Sequence, residues 1–399
     1  MFTLTDEQDY VASEAVKWFL YGNEQVFQYA APPGAGKSVV LNEIIMRLGL
    51  NPLTEVAAMS YIGSASLVMR MKGLLSAKTA HSWIYNIIGV NMIDENGKIM
   101  MDPLLNVPIQ QQKFIPVDRL PDGIKLIAID EGYSMPLKMR STIEKFGIKI
   151  IVCGDTEQLG PVNDQPAYLT SGKIYRLTKR LRQQGSEDIA YITKTVNAGL
   201  PLLNGYYGNS LVINYNELTD NMLMWADMVI CCKNSTRDYL NNRMRACGGY
   251  RGPLPHYGEK IVCRKNNWLE NVEFTNGTSV SLVNGLTGRV LNNPDASTLE
   301  NNLFSLSFSP DLCRDALFNT RANYNYMIAD YKTRQAIKNN KYEVGNMFEF
   351  ANAVTCHVAQ GSEAKKVVYI SEKMRPDMQH RLDNVGASRA TSQLIYVKA

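Results

Sequence analysis

Ala30-Ala31-Pro32-Pro33-Gly34-Ala35-Gly36-Lys37-Ser38 follows a short apolar run (Val26, Phe27, Tyr29) and precedes a helix-like pattern, Val39, Val40, Leu41, Ile44, Ile45 and Leu48. Strand, glycine loop and helix in that order predict a phosphate-binding loop. Glycines let the backbone wrap an anion with its N–H groups inward, and the following helix turns its positive end to the same charge. Lys37 is placed to reach the β- and γ-phosphates and the Ser38 hydroxyl to ligate Mg²⁺, with Pro33, Gly34, Ala35, Gly36 and Val39 completing the cradle. Ala31 stands where GxxxxGK[ST] has its first glycine, but the GxGKS core that touches phosphate is intact. The competing reading, a Gly/Pro turn that happens to end in Lys-Ser, does not account for the flanking strand and helix.

Upstream, Leu4-Thr5-Asp6-Glu7-Gln8 opens a helix with Val11, Ala15, Trp18 and Phe19 on one face. Thr5 and Gln8 fit a capping box, in which hydroxyl and amide satisfy helix-end N–H groups reciprocally. A carboxamide just before a phosphate-loop domain can equally pair with the ring nitrogen and amino group of adenine, and sequence leaves the two roles of Gln8 open.

Downstream, strand Thr54 to Ser60 and a helix through Leu67, Val68, Met71 and Leu74 lead to Thr79-Ala80-His81-Ser82-Trp83. Residues 85 to 118 break the alternation, and Asn96-Gly97 between apolar residues signals a hairpin. A second apolar strand, Ile124 to Ile129, ends in Asp130-Glu131. Two carboxylates at the end of a buried parallel strand are costly unless a metal or a reaction uses them. Asp130 suits Mg²⁺, and Glu131 suits the base that orients an attacking water. A third strand, Ile148 to Cys153, runs into Gly154-Asp155-Thr156-Glu157-Gln158, placing the Gln158 amide to sense a γ-phosphate or water. Leu177-Thr178-Lys179-Arg180-Leu181-Arg182 brings three cations close together, a solvated face or a source of arginine for the same phosphate.

A second alternation begins near 222, with strand Met228 to Cys232 and a helix from Ser235 to Met244 carrying Arg237, followed by Arg245. Short β-like runs (Lys260–Cys263, Ser279–Val283, Gly288–Leu291) mark a β-rich insert over 249–349, after which His357-Val358-Ala359-Gln360-Gly361-Ser362-Glu363 and Val385 to Ala390 resume the α/β pattern.

Length allows roughly two to three domains with full cores. A net charge of +4 permits a polyanionic partner without requiring one. Seven scattered cysteines without CxxC or His/Cys clusters argue against a disulfide framework and a zinc site. The acidic start lacks a basic-then-apolar leader, and no apolar run approaches the ~18 residues of a membrane span. A soluble cytoplasmic protein is expected, in the host cytoplasm if phage-encoded, with no membrane association.

Together these segments resemble the superfamily 1B, RecD-like helicases over nearly the whole chain. The motifs stand in that family's order: the Gln8 segment, APPGAGKS, the Thr79-Ala80-His81 segment, IDE at 129–131, GDTEQLGPV at 154–162, LTKRLRQ from 177, HVAQGSE from 357 and VGASRA from 385. The resemblance implies an α/β fold of two RecA-like P-loop lobes in tandem with ATP and Mg²⁺ between them. It assigns residues 1–84 and 119–170 to the first lobe and 85–118 to a strand-separating β-hairpin, the pin. It assigns 171–248 and 350–399 to the second lobe and 249–349 to an SH3-like insert. It implies that Arg182 and Arg389 face the γ-phosphate opposite Lys37, Glu131 and Gln158, with Gln360 and Glu363 lining the cleft. Single-stranded DNA would cross both lobes, held by Ser60, Thr79, His81 and His357, with Trp83 and Trp268 as stacking candidates.

The activity implied is an ATP-dependent DNA helicase moving 5′ to 3′ on a single strand and opening single-strand/duplex junctions. It would act as a monomer, with replication or recombination proteins as candidate partners. The alternatives are a nucleotide-switched nucleic-acid clamp and an RNA helicase. Glu131 and the two arginines disfavour the clamp, because a pure switch needs no fast hydrolytic centre. Three departures from the family pattern stand out: Val358 replaces a lysine, Met59-Ser60 replaces Pro-Thr, and Gly132-Tyr133 lengthens the segment after Glu131.

Overall fold

Strands buried on both faces need near-continuous apolar sequence, and the runs flanking the glycine loop supply it. In the computed structural model, which describes residues 4–102, 106–161, 163–179, 187–274, 279–295, 299, 301–340 and 342–398, these runs form a six-stranded parallel sheet. Its order is Lys78–Thr79, Val56–Ser60, Leu126–Asp130, Lys149–Gly154, Val26–Ala30, Ile174–Arg176. Helix Asp6–Tyr21 covers one face with Val11, Ala12, Ala15 and Trp18, packed in a common core with Phe27 and Tyr29. A second six-stranded sheet runs Ala353–Thr355, Met228–Cys231, Ala364–Ser371, Ala390–Lys398, Ser210–Asn214, Gly205–Tyr207, the last strand antiparallel to its neighbour. Helices Glu187–Asn197 and Pro376–Ala387 pack together beside it. These are the two RecA-like α/β lobes expected from sequence, and both lie in one unit, Met1–Ile84, Val117–Cys232 and Val354–Ala399.

The other unit is Tyr85–Pro116 with Lys233–Ala353. Strands Tyr85–Asn91 and Gln110–Pro116 pair antiparallel over their whole length. Beyond them the chain turns at Asp94 to Lys98, where Asp94 Oδ1 accepts from the N–H groups of Asn96 and Lys98, 2.9 Å each, and Ile93 pairs with Ile99. An antiparallel sheet follows, ordered Phe318–Asn323, Leu303–Pro310, Thr287–Val290, Lys260–Cys263, Phe348–Phe350. Its core is charged as well as apolar. Buried Glu349 lies 2.7 Å from Arg237, 3.3 Å from Arg264 and 3.9 Å from Arg334, and accepts from the Tyr326 hydroxyl at 3.0 Å.

Two expected boundaries move. Ile174–Arg176 pairs in parallel with Val26–Ala30, from Gln28 against Ile174, so the first lobe does not end at residue 170. Helix Asn234–Cys247 groups with the β-rich segment rather than the second lobe, because Arg237 reaches Glu349 and Arg245 closes on Glu259 at 2.7 Å. Among the described residues, no helix is long and apolar enough to cross a membrane.

Candidate active site

The loop after strand Val26–Ala30 turns at Gly34 (φ +79°) and Gly36 (φ +83°), a region open to glycine and strained for other residues. Helix Lys37–Arg47 begins at Gly36 with no side chain capping it, so its first N–H groups face the loop. Ala31 is buried and donates its N–H to the Gly154 carbonyl at 2.9 Å, in ordinary strand-end geometry that needs no glycine. The Tyr29 hydroxyl donates to the Lys37 carbonyl at 2.8 Å and ties the helix start back to the strand.

Lys37 Nζ lies 3.3 Å from Glu131 Oε1. Burial alone would push this ammonium down, but the carboxylates of Glu131, Asp130 and Asp155 outweigh it and raise it. Burial raises the Glu131 carboxyl; Lys37 opposes that rise, and Asp130 and Asp155 add to it. Glu131 adopts a left-handed backbone (φ +52°) that starts the turn Gly132–Ser134, held where the Ser134 hydroxyl donates to the Glu131 carbonyl at 2.7 Å. Gly132 permits this fold, since a β-carbon there would meet Val152 Cγ1 at 2.2 Å. Asp130 Oδ1 accepts from the Glu131 N–H at 2.8 Å and from the Cys153 thiol at 3.2 Å.

The second lobe supplies the opposite wall. Arg389, 4% exposed, is aimed by donation to the carbonyls of Val385 (3.0 Å) and Ser362 (3.3 Å) and to the Ser388 hydroxyl (2.9 Å). Burial pushes its guanidinium down, and Glu131 and Asp155 pull it back up. Gln158 Nε2 donates to Asp155 at 3.2 Å, while Gln360 Nε2 donates to Gln158 Oε1 at 3.2 Å. Lys37, Ser38, Val39, Pro33, Gly34, Gly36, Gln8, Asp130, Glu131, Gln158, Glu363 and Arg389 line one cavity of about 720 Å³. Ala35 and Gln360 are buried and do not line it.

The set fits a triphosphate with Mg²⁺. One hydroxyl, Ser38, and one carboxylate, Asp130, are hard oxygen donors, and Mg²⁺ takes few protein ligands when phosphates complete its shell. Among the described residues there is no group of three or more His, Cys, Asp or Glu side chains that could hold a metal ion.

Arg182 lies outside the described residues, as do Arg180, Gln183 and Gln184. The DNA candidates divide. Trp83 is a correction: it is 9% exposed and its indole N–H donates to the Ala58 carbonyl at 2.7 Å, so its ring belongs to the core and offers no stacking face. Ser60 is fully buried and accepts from the Ile62 N–H at 3.3 Å; Thr79, also buried, accepts from the Ser82 N–H at 3.3 Å. Half-buried His81 stands 5.8 Å from the Tyr61 ring, and burial, helped by Lys138, pushes its imidazole down. His357 is exposed. Trp268 is half-buried and meets Phe114 edge-on at 5.4 Å.

Sequence reasoning missed several residues. Asp155 follows a strand end just as Asp130 does, a signal that could have been used. Arg381 donates to the Gln158 carbonyl at 2.8 Å and to the Tyr133 hydroxyl at 3.0 Å, bridging the lobes. Lys72 Nζ lies 3.3 Å from Ser38 Oγ. No local pattern marks either cation.

The family model described as AAA domain matches residues 3–209. No curated protein matches the sequence. Among solved structures, the chain is similar to Pif1 helicase from Candida albicans at 16% identity and TM-score 0.53, covering 99% of this chain and 94% of that one. It is also similar to Bacteroides Pif1 bound to ssDNA, at 15% identity and TM-score 0.55, covering 99% and 92%. A third likeness, at 15% identity and TM-score 0.54 with the same 99% and 92% coverage, is to Bacteroides Pif1 with ADP-AlF3 and ssDNA. At such identities the shared property is the fold.

Proposed function

We propose a function from one premise: the chain belongs to the AAA domain family. The reading that the site supports best is an ATP-driven DNA helicase or translocase of superfamily 1B. The observation that carries it is the convergence of Lys37, Glu131 and Arg389, from three distant parts of the chain, on one cavity. Bacteroides Pif1, which shares the fold, has been solved with ssDNA and with ADP-AlF3, and both ligand classes are carried over here as part of the proposal.

In this reading the Lys37–Glu131 pair is a resting contact. A triphosphate in the loop draws the Lys37 ammonium onto its β- and γ-oxygens, and Glu131, released, accepts a hydrogen bond from the attacking water. Arg389 meets the negative charge that builds on the transferred group, where a fixed cation in a water-poor cleft acts most strongly. Ser38 and Asp130 would hold Mg²⁺, which supplies charge neutralisation at the phosphates when bound. Arg182 would add a second guanidinium.

The finer assignments rest on the motif resemblance, which we extend to the small phage helicase Dda. They are 5′ to 3′ movement, strand separation at the 85–118 hairpin, DNA contacts at His81 and His357 and at the backbone of the Ser60 and Thr79 segments, action as a monomer in the cytoplasm, and a role in replication or recombination. Two assays test the reading together: steady-state ATP turnover with and without poly(dT), and strand release from 5′- and 3′-tailed duplexes. Turnover that rises with poly(dT), and release from the 5′ tail alone, are expected. Turnover indifferent to the polymer removes the motor, and release from the 3′ tail alone reverses the direction.

A further inference from the structure

Gly132-Tyr133, which lengthens the segment after Glu131, sets a half-buried tyrosine two residues beyond the carboxylate that would act as base. The turn Gly132–Ser134 that carries it has little freedom, since a β-carbon on Gly154 would already lie 3.0 Å from the Gly132 nitrogen. Its partner is half-buried Arg381, on helix Pro376–Ala387 of the second lobe. A single nitrogen, Arg381 Nη1, donates to the Tyr133 hydroxyl at 3.0 Å and to the Gln158 carbonyl at 2.8 Å. The guanidinium carbon stands 5.3 Å from the centre of the Tyr133 ring, within cation–π range. Gln360, also of the second lobe, donates to the Gln158 side chain at 3.2 Å. The second lobe therefore grips Gln158 by main chain and side chain together.

Tyr133 and Arg381 do not line the nucleotide cavity, whereas Glu131, Gln158 and Arg389 do. What the pair controls is where those three stand. Arg381 lies on the helix whose last turn aims Arg389, through the bond from Arg389 Nε to the Val385 carbonyl at 3.0 Å. Tyr133 lies in the turn that the Ser134 hydroxyl ties to the Glu131 carbonyl at 2.7 Å. One guanidinium thus joins a short, packed turn on one wall to a helix on the other. We infer that Arg381 is a positioning residue that holds Glu131 and Gln158 in register with Arg389, acting through the Tyr133 side chain and the Gln158 carbonyl. The planar fork matters, because an ammonium can reach these oxygens but has no face to lay on the ring. The inference rests on the proposed hydrolysis of a nucleotide at this cavity.

The test separates rate from affinity. Arg381→Ala should lower kcat for ATP with poly(dT) by roughly 10²-fold, the scale on which a misplaced reacting group costs rate. Its affinity for mant-ADP should match wild type, because the phosphate loop is untouched. Arg381→Lys should recover part of the rate. Tyr133→Phe, which removes only the hydroxyl, should fall between wild type and Arg381→Ala, and adding it to Arg381→Ala should slow turnover no further. Thermal unfolding confirms that the variants fold. Wild-type kcat in Arg381→Ala, a loss confined to KM, or a Tyr133→Phe effect that multiplies with that of Arg381→Ala would each overturn the inference. If Arg381→Ala does not fold, Tyr133→Phe decides alone: a lowered kcat at unchanged mant-ADP affinity upholds the inference, and wild-type kcat overturns it. If wild type turns over no nucleotide, the hydrolytic reading fails separately, and hydrogen–deuterium exchange decides whether the register exists. Faster exchange over residues 132–135 in Arg381→Ala upholds it, and unchanged exchange overturns it.

Discussion

Lys37 and Glu131, both buried and 3.3 Å apart, set each other's charge before any substrate arrives. Because burial lifts the Glu131 carboxyl above the ordinary carboxylate range, native Glu131 takes up protons at a pH where the unfolded chain has released them. Its contribution to stability therefore falls as pH rises from the unfolded pKa through the folded one. Rate runs the other way, since only the ionised carboxylate can act as base. The acid limb of kcat/KM should lie above the ordinary carboxylate range and vanish in Glu131→Gln; an unchanged limb in that variant would move the base elsewhere. Lys37→Ala should abolish turnover. Arg389→Ala should slow it by about 10³-fold or more while sparing nucleotide binding, read by single-turnover kinetics beside equilibrium titration. It also strips donors from the carbonyls of Val385 and Ser362, so Tm should fall by the equivalent of roughly 1–3 kcal/mol. Lys37 and Ser38 were legible because loop chemistry is local. Arg381 was not, because its partners Gln158 and Tyr133 lie on another lobe and nothing in its neighbours announces them.

Short elements show why some of the fold was readable and some was not. Leu126–Asp130 and Lys149–Gly154 are apolar almost throughout, as strands buried on both faces must be, and their carboxyl ends located Asp130, Glu131 and Gln158. Ile174–Arg176 is too short to signal itself, and only its pairing to Gln28 assigns it to the first lobe. Leu303–Pro310 was readable but unread: Phe304, Leu306 and Phe308 alternate with serines, the period of a strand with one wet face. In helix Ala80–Ile84, Trp83 looks like a stacking aromatic next to His81, yet its indole caps a carbonyl of the neighbouring strand. Trp83→Phe should therefore cost about 1–3 kcal/mol of stability by leaving the Ala58 carbonyl unpaired, and leave ssDNA affinity unchanged. Fluorescence-anisotropy titration with a labelled oligonucleotide, beside urea unfolding, checks it. A large affinity loss with little change in stability would return the ring to the DNA.

Each of the two units has its own interior, and the nature of those interiors lets them be perturbed separately. The nucleotide cavity is built wholly from the unit that carries both six-stranded sheets. The other unit is pinned by Glu349, whose burial would raise its carboxyl but whose neighbours Arg264, Arg237 and Arg334 hold it below the ordinary range. That depression makes a stabilising contribution present above the unfolded pKa and lost as pH falls through the folded one. Glu349→Gln keeps the shape but strands three guanidiniums around a neutral amide, which should cost about 3–5 kcal/mol. A ligand that binds the first unit at 100 times its Kd should add about 2.7 kcal/mol to that unit's stability alone. Differential scanning calorimetry should then show two transitions. Glu349→Gln, or acid, should lower one of them, while ADP with Mg²⁺ should raise the other by the same amount in wild type and variant. A single transition displaced by both the substitution and the nucleotide would mean that the two interiors melt as one.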